Sequence, residues 1–231
     1  MADISNRWRP IVVTFEDGVS NIHRNIVIHS IISILQYAQV DQKIRIIDAG
    51  VWRHTDGHMH ENGFYVPYWS VDWYIAKGFQ ASRNRDQAHV REIFLQLWQE
   101  PWQEQMSHYD VMILNSDIYD EGCNFVIGSA IKGFGTVISI NRFLNLAEPL
   151  RSQCIESEVI HEVGHVFGLV PETRTTNVTE SLGKHCTCRC IMRQGLAVPR
   201  DWIQFSRDRI TSGQPFCPQC LIDLRNYFCR G

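Results

Sequence analysis

Five consecutive residues, His161-Glu162-Val163-Gly164-His165, have the types and spacing of a zinc-hydrolase motif. On an α-helix, positions i and i+4 share a face, so two imidazoles spaced this way can reach one ion. The intervening glutamate projects beside that ion. H-E-x-x-H helices hold Zn²⁺ through the two histidines, and the glutamate manages the proton of the bound water. A hydrolytic zinc site also needs a third protein ligand and one open position. In the extended form H-E-x-x-H-x-x-G-x-x-H, that ligand follows the glycine by three residues. Gly168 is in place, but three residues on stands Pro171, whose side chain cannot ligate. The next histidine is His185. Closure entropy grows slowly with loop length, so a polar surface insertion over 171–184 can still return the chain to the ion. His185 is therefore the third-ligand candidate, with the carboxylates of Glu172 and Glu180 as alternatives.

A second chemistry lies in the tail. Of eight cysteines, six stand at or beyond Cys186. Cys217-Pro218-Gln219-Cys220 is a C-x-x-C knuckle, and Cys186, Cys188 and Cys190 offer a second pair. Clustered cysteines in a reducing compartment bind metal more often than they cross-link. Two such pairs make a closed tetrahedral zinc site, which is structural because no position stays open. Cys123, Cys154 and Cys229 read as buried thiols.

Several elements must position these groups. Residues 10–15 and 43–51 read as strands, and an apolar helical period over 21–38 places a helix between them, a βαβ start. Residues 52–83, rich in Trp, Tyr, His and Gly, read as a long loop or hairpin with a connector. Within it, His54, His58 and His60 read as exposed loop residues, and Trp69, Trp73 and Tyr74 as core or cleft aromatics. A helix is expected over 85–104 and strands over 109–115, 124–130 and 136–140, the last two joined by a hairpin at Gly133-Phe134-Gly135. The motif helix follows over 150–168, ended by Gly168 in the left-handed conformation glycine tolerates. A loop through Pro199, a short helix over 201–210 and a last helix after Cys217 complete the chain.

With 231 residues and 44% hydrophobic content, the chain can bury one substantial core and a small appendage. A formal net charge of −3 lacks the basic surplus of a nucleic-acid binder. No basic-then-apolar leader opens the sequence, and no run approaches the roughly 20 apolar residues of a membrane span. The expectation is a soluble, cytoplasmic chain without nucleic-acid or membrane partners; the sequence leaves its oligomeric state open.

Taken together, these residues resemble the archaemetzincin family of zinc metallopeptidases. The family pattern joins the extended histidine motif to a cysteine directly after the third histidine, then a C-x-M element and a distal C-x-x-C. The order here is His161, Glu162, His165, Gly168, His185-Cys186, Cys190-Ile191-Met192 and Cys217-Pro218-Gln219-Cys220. Upstream, Asp117-Ile118-Tyr119, Asn124-Phe125-Val126-Ile127-Gly128 with Ala130, and Ser139 with Arg142 resemble the family's approach to its active-site helix. The likeness spans roughly residues 109–220. It implies an α/β (α+β) metzincin-like fold: a twisted mixed sheet backed by helices, with the active-site helix at the cleft. Residues 1–168 would form the catalytic subdomain and 169–231 a small zinc-stabilised one. It implies two Zn²⁺ ions per chain, a catalytic one on His161, His165 and His185 and a structural one on Cys186, Cys190, Cys217 and Cys220. Glu162 would be the general base and Met192 the methionine under the site.

The implied substrate is a peptide or protein, with an aminopeptidase on short peptides as the form the family suggests. Three spacings depart from the pattern. The third histidine moves from position 171 to 185, by 14 residues. The Cys186-to-Cys190 interval is one residue short with Cys188 inside it, which leaves Cys186 and Cys188 as alternatives. The Met192-to-Cys217 stretch is long. Two other functions fit parts of the sequence: a zinc-stabilised binding protein with a vestigial hydrolase site, and a redox dithiol at Cys217 and Cys220.

Overall fold

The computed structural model describes residues 6–51, 58–59, 65–66, 70–83, 86–100, 103 and 105–229. The run Ile-Val-Val-Thr-Phe, buried throughout, forms β1 (Ile11–Phe15). Ser20 caps the next helix by accepting the His23 N–H, and α1 (Asn21–Ala38) covers the expected span. β2 (Ile46–Gly50) returns parallel to β1, the expected βαβ start. β3 (His58–Met59) and β4 (Tyr65–Val66) pair as a small hairpin.

The reading of 52–83 needs correction, because it contains an 11-residue helix, α2 (Val71–Ala81). Ser70 accepts the Trp73 N–H as its cap, and Val71, Tyr74, Ile75 and Gly78 are buried at helical spacing. Scattered aromatics and glycine hid that period. Trp73 and Tyr74 pack in the core, whereas His54, His60 and Trp69 lie outside the described residues. The helix expected over 85–104 is shorter, since β5 (Ala88–His89) is occupied in strand pairing and α3 runs only over Val90–Trp98.

β6 (Tyr109–Leu114), β7 (Ile118–Tyr119), β8 (Gly128–Ile131) and β9 (Gly135–Ser139) follow, with β8 and β9 joined as the expected hairpin. β8 starts later than expected, and before it Val126 only bridges to Ile118. The chain continues through α4 (Leu150–Val166), β10 (Val178–Thr179), β11 (His185–Cys186), α5 (Arg200–Ser212) and α6 (Pro218–Cys229).

The main sheet has the order β2-β1-β6-β9-β8, parallel except for β8 at its edge. Its central strands are buried along their whole length, as parallel strands covered on both faces are. Side chains alternate between two layers. Val111 and Ile113 pack with α1, α4 and the tail, whereas Met112 and Leu114 pack with α2 and α3. Ile191, Met192, Trp202, Phe205, Leu224 and Phe228 of the tail share the first cluster, so residues beyond Gly168 pack against the same sheet layer as α4. Gly168 adopts φ +69°, and Leu169 N–H returns to the Gly164 carbonyl at 3.0 Å. Among the described residues, no helix is long and apolar enough to cross a membrane.

Candidate metal centres

Helical geometry places His161 and His165 with their Nε2 atoms 3.2 Å apart. The His185 ring lies 5.3 Å from that of His161 and 4.9 Å from that of His165, centre to centre. One nitrogen from each of the three lies within 4.8 Å of the others. His185 arrives on a hairpin: β10 pairs antiparallel with β11, placing Thr179 opposite His185 and Val178 opposite Cys186. Glu172 and Glu180 lie elsewhere, exposed beside Lys184 Nζ at 3.9 and 3.4 Å.

The imidazoles are prepared for a cation. His161 Nδ1 faces the Ile191 carbonyl at 2.8 Å, so Nδ1 carries the proton and Nε2 presents its lone pair. His185 Nδ1 faces the Gly183 carbonyl at 3.2 Å in the same way. Burial, then the charge of His185, hold His161 down to about 3 despite the bond to Ile191. Burial lowers His165 well below its ordinary value, reinforced by His161 and His185, and burial lowers His185 too. All three are neutral at neutral pH, the form that ligates metal. Tetrahedral Zn–N bonds of about 2.0–2.1 Å put neighbouring nitrogens about 3.3 Å apart, close to the His161–His165 separation.

Glu162 is buried beside this group and rests against Glu158, one turn earlier on α4. Burial raises Glu162 well above the usual carboxylate range, and the charge and hydrogen bond of Glu158 add to it. Burial lifts Glu158 to about 8, against a 2.5 Å hydrogen bond from Trp202 Nε1 to its Oε2. Two buried carboxyls in contact cannot both ionise readily, whereas a cation at the histidines favours the ionised form of Glu162. β8 passes close over them: a Cβ added to Gly128 would fall 2.4 Å from Glu158 Oε1 and 2.5 Å from Glu162 Cγ. Beneath the motif helix, a Cβ on Gly164 would fall 2.7 Å from Met192 Sδ, so Met192 packs directly under the site. Sequence reasoning missed Glu158, although its i, i+4 spacing to Glu162 was visible. Trp202 and the close approach of Gly128 come from tertiary packing and have no local signal.

Cys186, Cys190, Cys217 and Cys220 form the second group, with sulfurs mutually within 4.8 Å. Cys186 and Cys217 Sγ stand 3.8 Å apart, Cys190 and Cys220 Sγ 3.9 Å apart. Zn–S bonds of about 2.3 Å in a tetrahedron require about 3.8 Å between sulfurs, whereas a disulfide requires about 2.05 Å. The spacing suits a thiolate-bound ion. Of the two alternatives, Cys186 joins this group, and Cys188 instead directs its backbone N–H at Cys186 Sγ, 3.3 Å away. The element Cys190-Ile191-Met192 thus offers a sulfur, the carbonyl that orients His161, and the methionine under α4. The expectation for the remaining thiols holds only at Cys154; Cys123 is half-buried, and Cys229, the last residue of α6, is exposed.

Asp117 and Arg142 pair with each other through two bonds, at 3.0 and 2.7 Å, while the guanidinium stacks on Phe125. A further buried group, Glu100, His108 and Asp110, is bridged by protein donors. Gln103 Nε2 donates to Asp110 Oδ2 at 2.9 Å and lies 3.2 Å from His108 Nε2, and the Tyr74 hydroxyl donates to Glu100.

No family model matches the chain. An archaemetzincin from Archaeoglobus fulgidus is 30% identical over 114 residues, which are 49% of this chain and 58% of that protein. One from Nanoarchaeum equitans is 37% identical over 114 residues, 49% of this chain and 51% of that protein. The chain spans about half the length of the curated relatives it matches. Among solved structures, the archaemetzincin of Methanopyrus kandleri superposes with a TM-score of 0.62 at 19% identity, covering 96% of both chains. That of Archaeoglobus fulgidus, complexed with malonate, gives 0.55 at 19% identity, covering 93% of this chain and 99% of that one. A zinc-dependent peptidase from Methanocorpusculum labreanum gives 0.50 with the same identity and coverage. At that identity the structural likeness speaks for the fold, and the expected mixed sheet with its helices is the fold these structures share.

Proposed function

We propose that this chain, which is similar to archaemetzincins over about half of its length, is a zinc-dependent metallopeptidase. The observation that carries the reading is the meeting of three imidazoles with a buried glutamate beside the edge strand of the sheet. His161 and His165 would hold the catalytic ion from α4, and His185 from β11. Zinc bound there supplies a Lewis acid and a water acidic enough to deprotonate near neutral pH. Glu162 takes a proton from the attacking water on its carboxylate oxygen and passes it to the leaving amine. Glu158, held by Trp202, keeps the Glu162 carboxyl in register. β8 ends the sheet among the described residues, and its outer edge offers backbone groups to an extended peptide. Cys186, Cys190, Cys217 and Cys220 would hold a second, structural zinc. The narrower activity, an aminopeptidase on short peptides, rests on the family resemblance. The thiol-rich second centre suits the reducing cytoplasm, where we locate the protein.

The test is a mixed peptide library incubated with zinc-loaded chain and read by mass spectrometry. Cleavage that stops on chelation and returns with zinc is the expected result. Intact peptides in the presence of two bound zinc ions would favour the binding-protein reading instead. Gly128 makes a second test. A Cβ there displaces the Glu162 carboxyl, and a misplacement near 1 Å costs about 100-fold in rate. Gly128→Ala is expected to lower kcat by about that factor with zinc content unchanged; an unaltered kcat would remove Gly128 and its contact from the mechanism.

A further inference from the structure

The polar insertion over 171–184 contains one buried cation. Arg174 is 5% exposed, and each of its five N–H groups finds an acceptor. Nη1 donates to Cys220 Sγ at 3.2 Å and Asp223 Oδ2 at 3.1 Å. Nη2 donates to Cys186 Sγ at 3.1 Å and to the Asn177 carbonyl at 3.3 Å. Nε donates to the Thr176 carbonyl at 3.0 Å. Asp223, on α6, pairs with the guanidinium as a carboxylate, and the other four acceptors fall into two sets. The sulfurs belong to the cysteine centre, and the carbonyls belong to the residues just before β10, the strand that pairs with His185.

Charge explains why a cation stands there. Four thiolates around a divalent ion leave two negative charges in a buried place, and buried charge must be paired. A planar guanidinium can meet sulfurs and carbonyls together, whereas a lysine ammonium is a point charge with three donors. Cys186 anchors one side of His185 through the chain. The residues just before the facing strand have two other side-chain ties, Asn177 to Gln219 and Thr176 to Gln219, both neutral and exposed.

We propose that Arg174 is a positioning residue that couples the two centres: it ties the cysteine sulfurs to β10 and so fixes where His185 stands. The proposal rests on the two groups being metal centres and not on peptide cleavage. Its test loads the metal-stripped full chain with Co²⁺, whose thiolate-bound and imidazole-bound forms absorb differently, and measures affinity at the histidine centre. Removing an outer-shell partner typically costs 10- to 100-fold in metal affinity. Arg174→Lys is expected to weaken the histidine centre by about that factor, and to add nothing when His185→Ala is already present. Arg174→Met should weaken it at least as much; if that variant fails to fold, Arg174→Lys decides. Affinity within twofold of wild type, or an equal loss with and without His185, overturns the proposal. A wild-type chain that binds metal at both centres but cleaves nothing would end the metallopeptidase reading and leave this one standing.

Discussion

Replacing Glu162 with alanine is expected to cut peptide turnover by about 10²- to 10⁴-fold while both zinc ions stay bound. The loss has that size because a positioned general base moves the proton in both halves of the reaction. The metal stays because Glu162 lies beside the imidazole group and is not one of the three. Folding should not suffer either. Burial and the neighbouring Glu158 hold the Glu162 carboxyl well above its ordinary range, so alanine removes a buried polar group that is costly to keep there and takes no ion pair away. Metal analysis, thermal unfolding and steady-state kinetics on one preparation check all three points. Retained turnover in the metal-replete variant would remove Glu162 from the proton path.

His185→Ala carries the other large effect. Structural zinc sites bind with about 10–16 kcal/mol shared among four ligands, so one ligand is worth about 3 kcal/mol, or about 100-fold in affinity. The histidine centre should weaken by that factor and turnover should vanish at limiting zinc. The cysteine centre should keep its ion, because its four sulfurs are untouched. Equilibrium zinc titration separates the two. If the variant holds both ions and still cleaves, the third ligand lies elsewhere.

The chemistry was more legible in the sequence than the scaffold that aims it. His161, Glu162 and His165 stand out because one helical turn relates them, and local spacing is what a sequence records. The cysteine set is legible for the same reason, as two short motifs. His185 could be named only as the next imidazole after Pro171. The hairpin that delivers it has strands of two residues each, too short to show alternation. Arg174 read as part of a polar surface insertion, because a lone arginine gives no sign that its charge will be met by thiolates. Helix α2 was lost among aromatics and glycine, yet its cap Ser70 and its buried period were present. Gly128 and Trp202 stand where they do because a strand closes over Glu158 and Glu162 and a helix distant in sequence reaches Glu158, which no local pattern encodes.

The central claim is that zinc on His161, His165 and His185 hydrolyses peptide bonds. Its most direct test returns zinc stepwise to metal-stripped protein, counting ions per chain by native mass spectrometry and following peptide cleavage in the same samples. The account predicts two zinc ions at saturation and turnover that rises only as the histidine centre fills. Cleavage by the fully stripped chain, or intact peptides when both centres are filled, would contradict it.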